Sequence, residues 1–272
     1  MRRNLLLLLP LLACVPALAQ TTCQELVPKI MDASGLNQQL AAVPTIMRET
    51  TSSAFDREGS MPVDAKRELE SLMDNAFDIH RVSTNISTKL VASCEPKAYA
   101  AVLSDLQSPL AQKMVQLELE PLSSPEAAKR LQHYVASFPM QSPRESRMDL
   151  IYKMMDATKE AETETDEVIQ LTLTMTRTAF NYSPSQNEID TVRQQTLEKM
   201  RDITAARMYY LFRSASDQEL QQLIAMQSKP ETQKINRDAA NAMLYAFQQE
   251  AVDLGGKMKK VVHDERVKHV GE

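Results

Sequence analysis

The 272-residue chain has no tryptophan, only five glycines, few aromatic residues and three cysteines. Each shortage narrows the possibilities. Five glycines leave little from which to build a phosphate-cradling loop, and no Gly-x-Ser-x-Gly elbow is present to expose a serine nucleophile. Runs alternating β-branched and aromatic residues are missing too; the nearest, Leu171–Thr176, sits inside a longer helical period. Basic residues do not dominate, at 31 against 36 acidic ones, so there is no electrostatic footprint for nucleic acid. Beyond residue 19 no apolar run approaches the roughly 20 residues that a bilayer-spanning helix takes.

What the chain does have is leucine, alanine, methionine, glutamine, glutamate and lysine, all good helix formers. The expected fold class is all-α.

The first 19 residues read as a secretory signal peptide. Arg2 and Arg3 supply the positive start, Leu5–Leu12 the apolar stretch, and Ala17-Leu18-Ala19 the small-residue cleavage site. An exported, periplasmic protein follows from this. Leu11-Leu12-Ala13-Cys14 also resembles a lipoprotein box, which would anchor the chain through Cys14, although the residues after Cys14 are apolar where such linkers are usually polar. Cleavage after Ala19 removes two arginines and moves the formal charge from −5 to −7.

Two cysteines then stay, Cys23 and Cys94. An even pair in an exported chain reads as one disulfide, here closing a loop of about 70 residues for around 4 kcal/mol. Two unpaired thiols are the alternative. Neither cysteine has a nearby histidine or a Cys-x-x-Cys partner that would suggest redox or nucleophilic work.

Two stretches share a pattern of short helix, Ser-Pro break and second helix. One is 98–113, with its break at Ser108-Pro109, and the other is 218–234, where Ser228 and Pro230 make it. Earlier echoes keep the same order: Met31-Asp-Ala-Ser34 with Met155-Asp-Ala-Thr158, and Thr51–Phe55 with Thr176–Phe180. The expected organisation is two tandem duplicated helical units, 20–138 and 144–256, around a hinge at 139–143 and before a tail at 257–272. Gly35 should end the first helix, and Pro44 should kink the second. Met61-Pro62 marks a turn, and the stripe Leu69, Leu72, Met73, Ala76, Phe77, Val82, Ile86, Leu90 predicts one long helix. Ser183-Pro184 should open another long helix, and Gly255-Gly256 should stop the last one. In the first hairpin, Val102, Leu103 and Leu106 are expected to pack on Leu110, Met114 and Leu117.

At 216–234 the pattern Ser-x-x-Glu-Leu-x-x-Leu-x-x-(aromatic)-x-Ser-x-x-Gly-x-Lys resembles a bacterial secreted family known as domain of unknown function two-zero-five-nine. Ser216, Glu219, Leu220, Leu223, Ser228, Gln233 and Lys234 match it. Met226 stands where an aromatic residue is expected, Thr232 replaces the small Gly, and one residue, Lys229 or Pro230, looks inserted. The first stretch keeps Gln112 and Lys113, with Ala111 for Gly, but loses the Glu-Leu start. The resemblance implies an exported all-helical domain with no established activity, and supplies no catalytic residues.

No catalytic or metal-binding constellation rises above background, and no cofactor is expected. His80 and His133 are isolated, and His263 and His269 lack the i, i+4 spacing that puts two imidazoles on one helical face. The methionines are scattered, with no Met-x-x-Met series for copper, and suit core filling. Glu160, Glu162, Glu164, Asp166 and Glu167 read as a solvated helix start rather than a calcium loop, which would need a Gly turn.

A non-enzymatic binding or scaffold module of the cell envelope is therefore expected, holding a protein segment or apolar ligand in a groove between its units. The alternative is an enzyme or metal handler with a site assembled from residues distant in sequence. An apolar groove would favour the first, and a pocket with converging Asp, Glu or His the second. A membrane-surface role for Lys257–Lys268 is a weaker third.

Overall fold

The computed structural model describes residues 22–45, 67, 71 and 78–270, the last eleven as backbone alone. The stretch read as a signal peptide, with Cys14, the 51–55 echo, the turn at Met61-Pro62, the stripe residues Leu69, Leu72, Met73, Ala76 and Phe77, and the side chains of His263 and His269 lie outside the described residues.

The fold is all-α, with no strand among the described residues. Helices α1 (Cys23–Ala33) and α2 (36–45) precede α3 (Ile79–Ser93), α4 (Pro96–Leu106) and α5 (Pro109–Leu119). Then come α6 (Pro125–Ser137), α7 (Glu145–Thr158), α8 (Glu160–Phe180), α9 (Gln186–Leu211), α10 (Asp217–Gln227) and α11 (Pro230–Val270).

Most boundaries follow local chemistry. Ser108 accepts from the Ala111 N–H and Ser124 from the Ala127 N–H, each just ahead of a proline at the first helical position. Ser216 and Glu219 form a reciprocal capping box at the start of α10. Gly35, at φ +75°, makes the left-handed turn after α1, where a side chain would also meet Val115 and Leu119. The stretch 138–143 holds a short 3₁₀ turn, Phe138–Met140, before α7 begins.

Three boundary expectations are corrected. The stripe is not one unbroken helix: Ser71 is helical, but a helix begins afresh at Ile79, because the Asp78 carboxylate accepts from the His80 and Arg81 N–H groups and caps it there. Helix α9 starts at Gln186, since the Ser185/Glu188 capping box supplies both reciprocal bonds and prevails over Ser183-Pro184 as a start. Gly255-Gly256 does not stop α11, which runs on to Val270. Instead, Gly255 is a contact point: a Cβ there would lie 2.8 Å from Thr178 Cβ and 3.3 Å from the Met175 carbonyl oxygen on α8.

Two hydrophobic clusters form the core, and neither respects the 139–143 boundary. The first gathers α1, α3 and α4 through Val27, Ile86, Leu90, Tyr99 and Val102, and is completed by Ile235, Ala242 and Ala246 of α11. The second gathers α7, α9 and α10 through Ile151, Met155, Met208 and Leu220, with Met114 of α5. The first hairpin is thus not zipped on itself as expected. Val102 and Leu103 enter one core while Met114 enters the other.

The arms of α3 and α11 are also joined at their far end. The fully buried Glu250 carboxylate receives Arg81 Nε and Nη2, both at 2.6 Å. Among the described residues no helix is long and apolar enough to cross a membrane.

The two glycines of α11 should respond oppositely to the same change. Gly256→Ala, which meets nothing within 4 Å, should raise the unfolding free energy by up to about 1 kcal/mol through helix propensity. Gly255→Ala should lower it by about 1–3 kcal/mol, because the added methyl overpacks α8. Urea midpoints of the two variants measure the contrast, and equal midpoints would contradict the close approach.

Candidate functional site: a chamber between the two hairpins

The space between the hairpins α4–α5 and α10–α11 is a cavity of about 160 Å³. Its floor is α1, with Val27, Ile30 and Met31, and Leu90 of α3 closes one side. The first hairpin contributes Val102, Leu106, Ala111, Met114 and Val115. The second contributes Leu223, Met226, Ile235 and Ala239. Helical spacing explains the arrangement: 102 and 106, 111 and 115, and 235 and 239 each lie one turn apart on a single face.

The disulfide predicted from the sequence forms. Cys23 at the start of α1 and Cys94 at the end of α3 have Cα atoms 6.0 Å apart. It therefore clips together two walls of the chamber. Lys234 works at the same place, its Nζ donating to the Ser93 carbonyl at 3.1 Å and to Asp238 at 2.8 Å. Asp238 also accepts from the Tyr99 hydroxyl, whose ionisation burial pushes up to about 12.

The other matched residues have mainly structural duties. Leu220 and Leu223 are buried. Ser228 donates to the Ile224 carbonyl at 2.8 Å, closing the last turn of α10. Glu219, besides capping, accepts from Lys113 of the first hairpin at 2.7 Å, and that bond, with the cap, holds it down near 2. Gln112 donates to the Ala33 and Leu106 carbonyls, tying the ends of α1 and α4. Gln233 borders a second groove of about 330 Å³, beside Asn236, Asn241 and Glu167. The Gln-Lys pairs of the two hairpins thus hold different partners. Met226 and Thr232, where the chain departs from the resembled pattern, both line the chamber.

Sequence reading missed the polar members. Ser34, Tyr99, Asp105, Glu118, Gln227, Thr232 and Asn236 all reach the chamber. Five of them have internal partners: Ser34 the Met31 carbonyl, Tyr99 Asp238, Asp105 Lys229, and Gln227 and Asn236 each other. Two do not. Thr232 Oγ1, in a side chain over nine-tenths buried, is unpaired, and the Glu118 carboxyl has no hydrogen-bond partner among the described residues. A signal for Glu118 existed, since 111, 114, 115 and 118 fall on one helical face and a carboxylate there points where alanine, methionine and valine do.

Behind Glu118 stands the acidic cluster of α8, and it is not the solvated helix start expected. As its numbers fall from 166 to 160, the arginine numbers on α9 rise from 193 to 207, the mark of antiparallel helices. Arg193 meets Asp166 at 2.6 Å and Arg201 meets Glu162 at 3.1 Å. Arg207 serves both Glu160, at 2.6 Å, and Glu164, at 2.5 Å, while Thr204 donates to Glu164. Burial works against the Arg207 charge, but the two glutamates outweigh it and hold it protonated. Glu118 is the third carboxyl around this one cation. Burial first, and then the Glu160 charge, push Glu118 up to about 8 against the pull of Arg207. Burial likewise raises Glu160, and with Glu164 it lifts Glu167 to about 7.

Among the described residues no group of three or more His, Cys, Asp or Glu is placed to hold a metal ion. No protein-family model, curated protein or solved structure matches the chain.

These shifts set the direction of a pH effect. Glu118 and Glu167 hold protons in the fold that the unfolded chain releases above about pH 4.5, so ionising them costs stability. Stability should therefore fall as pH rises from 5 to 8. The carboxylates with lowered values, Asp217 and Glu219, lose their contribution only at lower pH and leave this window clear. Urea midpoints across pH 5–8 should decline in the native protein and decline less steeply in Glu118→Gln, where Glu167 still contributes.

Proposed function

We propose that this chain is an exported, non-enzymatic binding module of the cell envelope that takes a small apolar group into the chamber between its hairpins. The observation that carries the reading is the chamber wall, mainly apolar and drawn from both hairpins and α1. Its size fits the reading. A cavity of roughly 150 Å³ lined by aliphatic side chains binds benzene, whereas drug-sized ligands take about 300 Å³ or more. One aryl ring or short alkyl group is the natural occupant.

The competing reading, an enzyme or metal handler assembled from distant residues, has the carboxyls near Arg207 in its favour. Two of those three are committed to the guanidinium. No histidine or cysteine lines the chamber, and its one hydroxyl on an aliphatic carbon without a partner, Thr232, has no base beside it in a hydrogen bond. The apolar wall therefore favours the binding reading.

Descent from a duplicated unit, and membership of the uncharacterised family that 216–234 resembles, belong to the same proposal. Supporting the first, the echoed Met31 and Met155 are both buried near the ends of α1 and α7. Each of these helices lies beneath the first arm of a hairpin.

The test uses toluene and the oxidised protein. At ten times its Kd a ligand should stabilise the fold by about 1.4 kcal/mol, a Tm rise of roughly 3–5 °C for a chain of this size. Ala239→Leu, which fills the chamber, should keep the fold and lose the rise. A rise that persists in the filled variant would place the ligand elsewhere, and no rise at all would sink the proposal.

A further inference from the structure

The chamber is not indifferent to chemistry. Five of its seven polar side chains have a hydrogen-bond partner within the protein, whereas Glu118 and Thr232 have none among the described residues and are the freest to bond an occupant. Leaving the buried Thr232 hydroxyl unpaired is costly, and an occupant that reaches it recovers that cost. The charge balance points the same way. Arg207 on α9 is shared by Glu160 and Glu164 of α8, Lys229 is held by Asp105, and Glu118 has no cation of its own.

Resting on the apolar-chamber reading above, we propose that the occupant is a small aryl- or alkyl-ammonium whose cationic head donates to Glu118, with Thr232 Oγ1 accepting a second of its protons. An anionic occupant is disfavoured, because it would bring a further negative charge toward Glu118, Glu160 and Glu164. A purely apolar one fills the volume but leaves both groups unpaired. The ammonium satisfies both, and on binding at a protonated Glu118 it displaces that proton to solvent, which keeps the charge in the chamber balanced.

Three probes of one size separate the possibilities: toluene, benzylamine and benzoate, titrated calorimetrically into the oxidised protein. Benzylamine should bind about tenfold or more tightly than toluene, and benzoate more weakly than either. Glu118→Gln should bring benzylamine to the level of toluene while leaving toluene within about twofold. Thr232→Val, nearly the same shape, should weaken benzylamine by about threefold. The wild-type protein alone gives a further readout. Benzylamine stays charged between pH 6 and 8, so its advantage over toluene should grow across that range as Glu118 ionises. The charged groups acting on this carboxyl from the neighbouring helices are Glu160 and Arg207, and toluene serves as the internal control for their effects on the fold. If toluene binds but benzylamine is no tighter, or its advantage is flat with pH, or it survives Glu118→Gln, the ammonium assignment is overturned and the apolar chamber stands. If none of the three binds the folded protein, the chamber reading fails with it.

Discussion

The packing of α11 against two other helices at once is the constraint on which the rest of this structure depends. At 41 residues it runs along both α3 and α8, and it gives Ile235, Ala242 and Ala246 to the first core. It can do so because its inward faces are small, with Ala242, Ala246 and Ala251 buried and Gly255 against α8. Small residues let helix axes approach near the low end of the usual 8–10 Å. The exception is Glu250, fully buried in the middle of the series. Its carboxylate is matched by the Arg81 fork, and the Asp78 N–H adds a longer bond at 3.3 Å. A buried carboxylate of this kind stabilises little by itself, but it tolerates no other neighbour. It fixes which turn of α11 meets the start of α3. The register of α11 in turn sets where Thr232, Ile235 and Ala239 stand, and so the shape of the chamber.

How much of this could be read in the sequence depended on the range of the force involved. Signals acting within four residues were legible: Ser108, Ser124 and Ser216 cap where expected, Pro96 and Pro109 start helices, and Gly35 turns the chain. The disulfide was legible because only two cysteines follow residue 19. Where two local signals competed, the wrong one was chosen, as at Ser183-Pro184 against the Ser185/Glu188 box. Gly255-Gly256 misled for a different reason. Glycine is required both where a helix ends and where helices touch, and only a neighbour from a distant part of the chain distinguishes them. The periodicity of α5 likewise announces a buried face without saying which core it enters.

The site lay largely beyond reach for the same reason. No single stretch holds the chamber: its walls come from α1, α3, both hairpins and their facing sides, and Glu118 acquires its meaning from Arg207, some 90 positions later. The stretch 216–234 proved central in a way its pattern did not suggest. Its conserved-looking polar residues are mostly caps and ties, while Leu223, Met226 and Thr232, two of them departures from that pattern, form the lining. A motif recognised by its polar residues can thus be silent about the surface it builds.

The completion of the first core by Ile235, Ala242 and Ala246 has a consequence for how the chain comes into being. A polypeptide is made from its N-terminus, and after Leu103 about 130 further residues must follow before Ile235 exists. At the usual pace of synthesis that interval is on the order of ten seconds. Throughout it, Val82, Ile86 and Tyr99 have no α11 to close over them. The first core of this protein cannot close while the second half is still being made, so it is completed only once α11 has been synthesised.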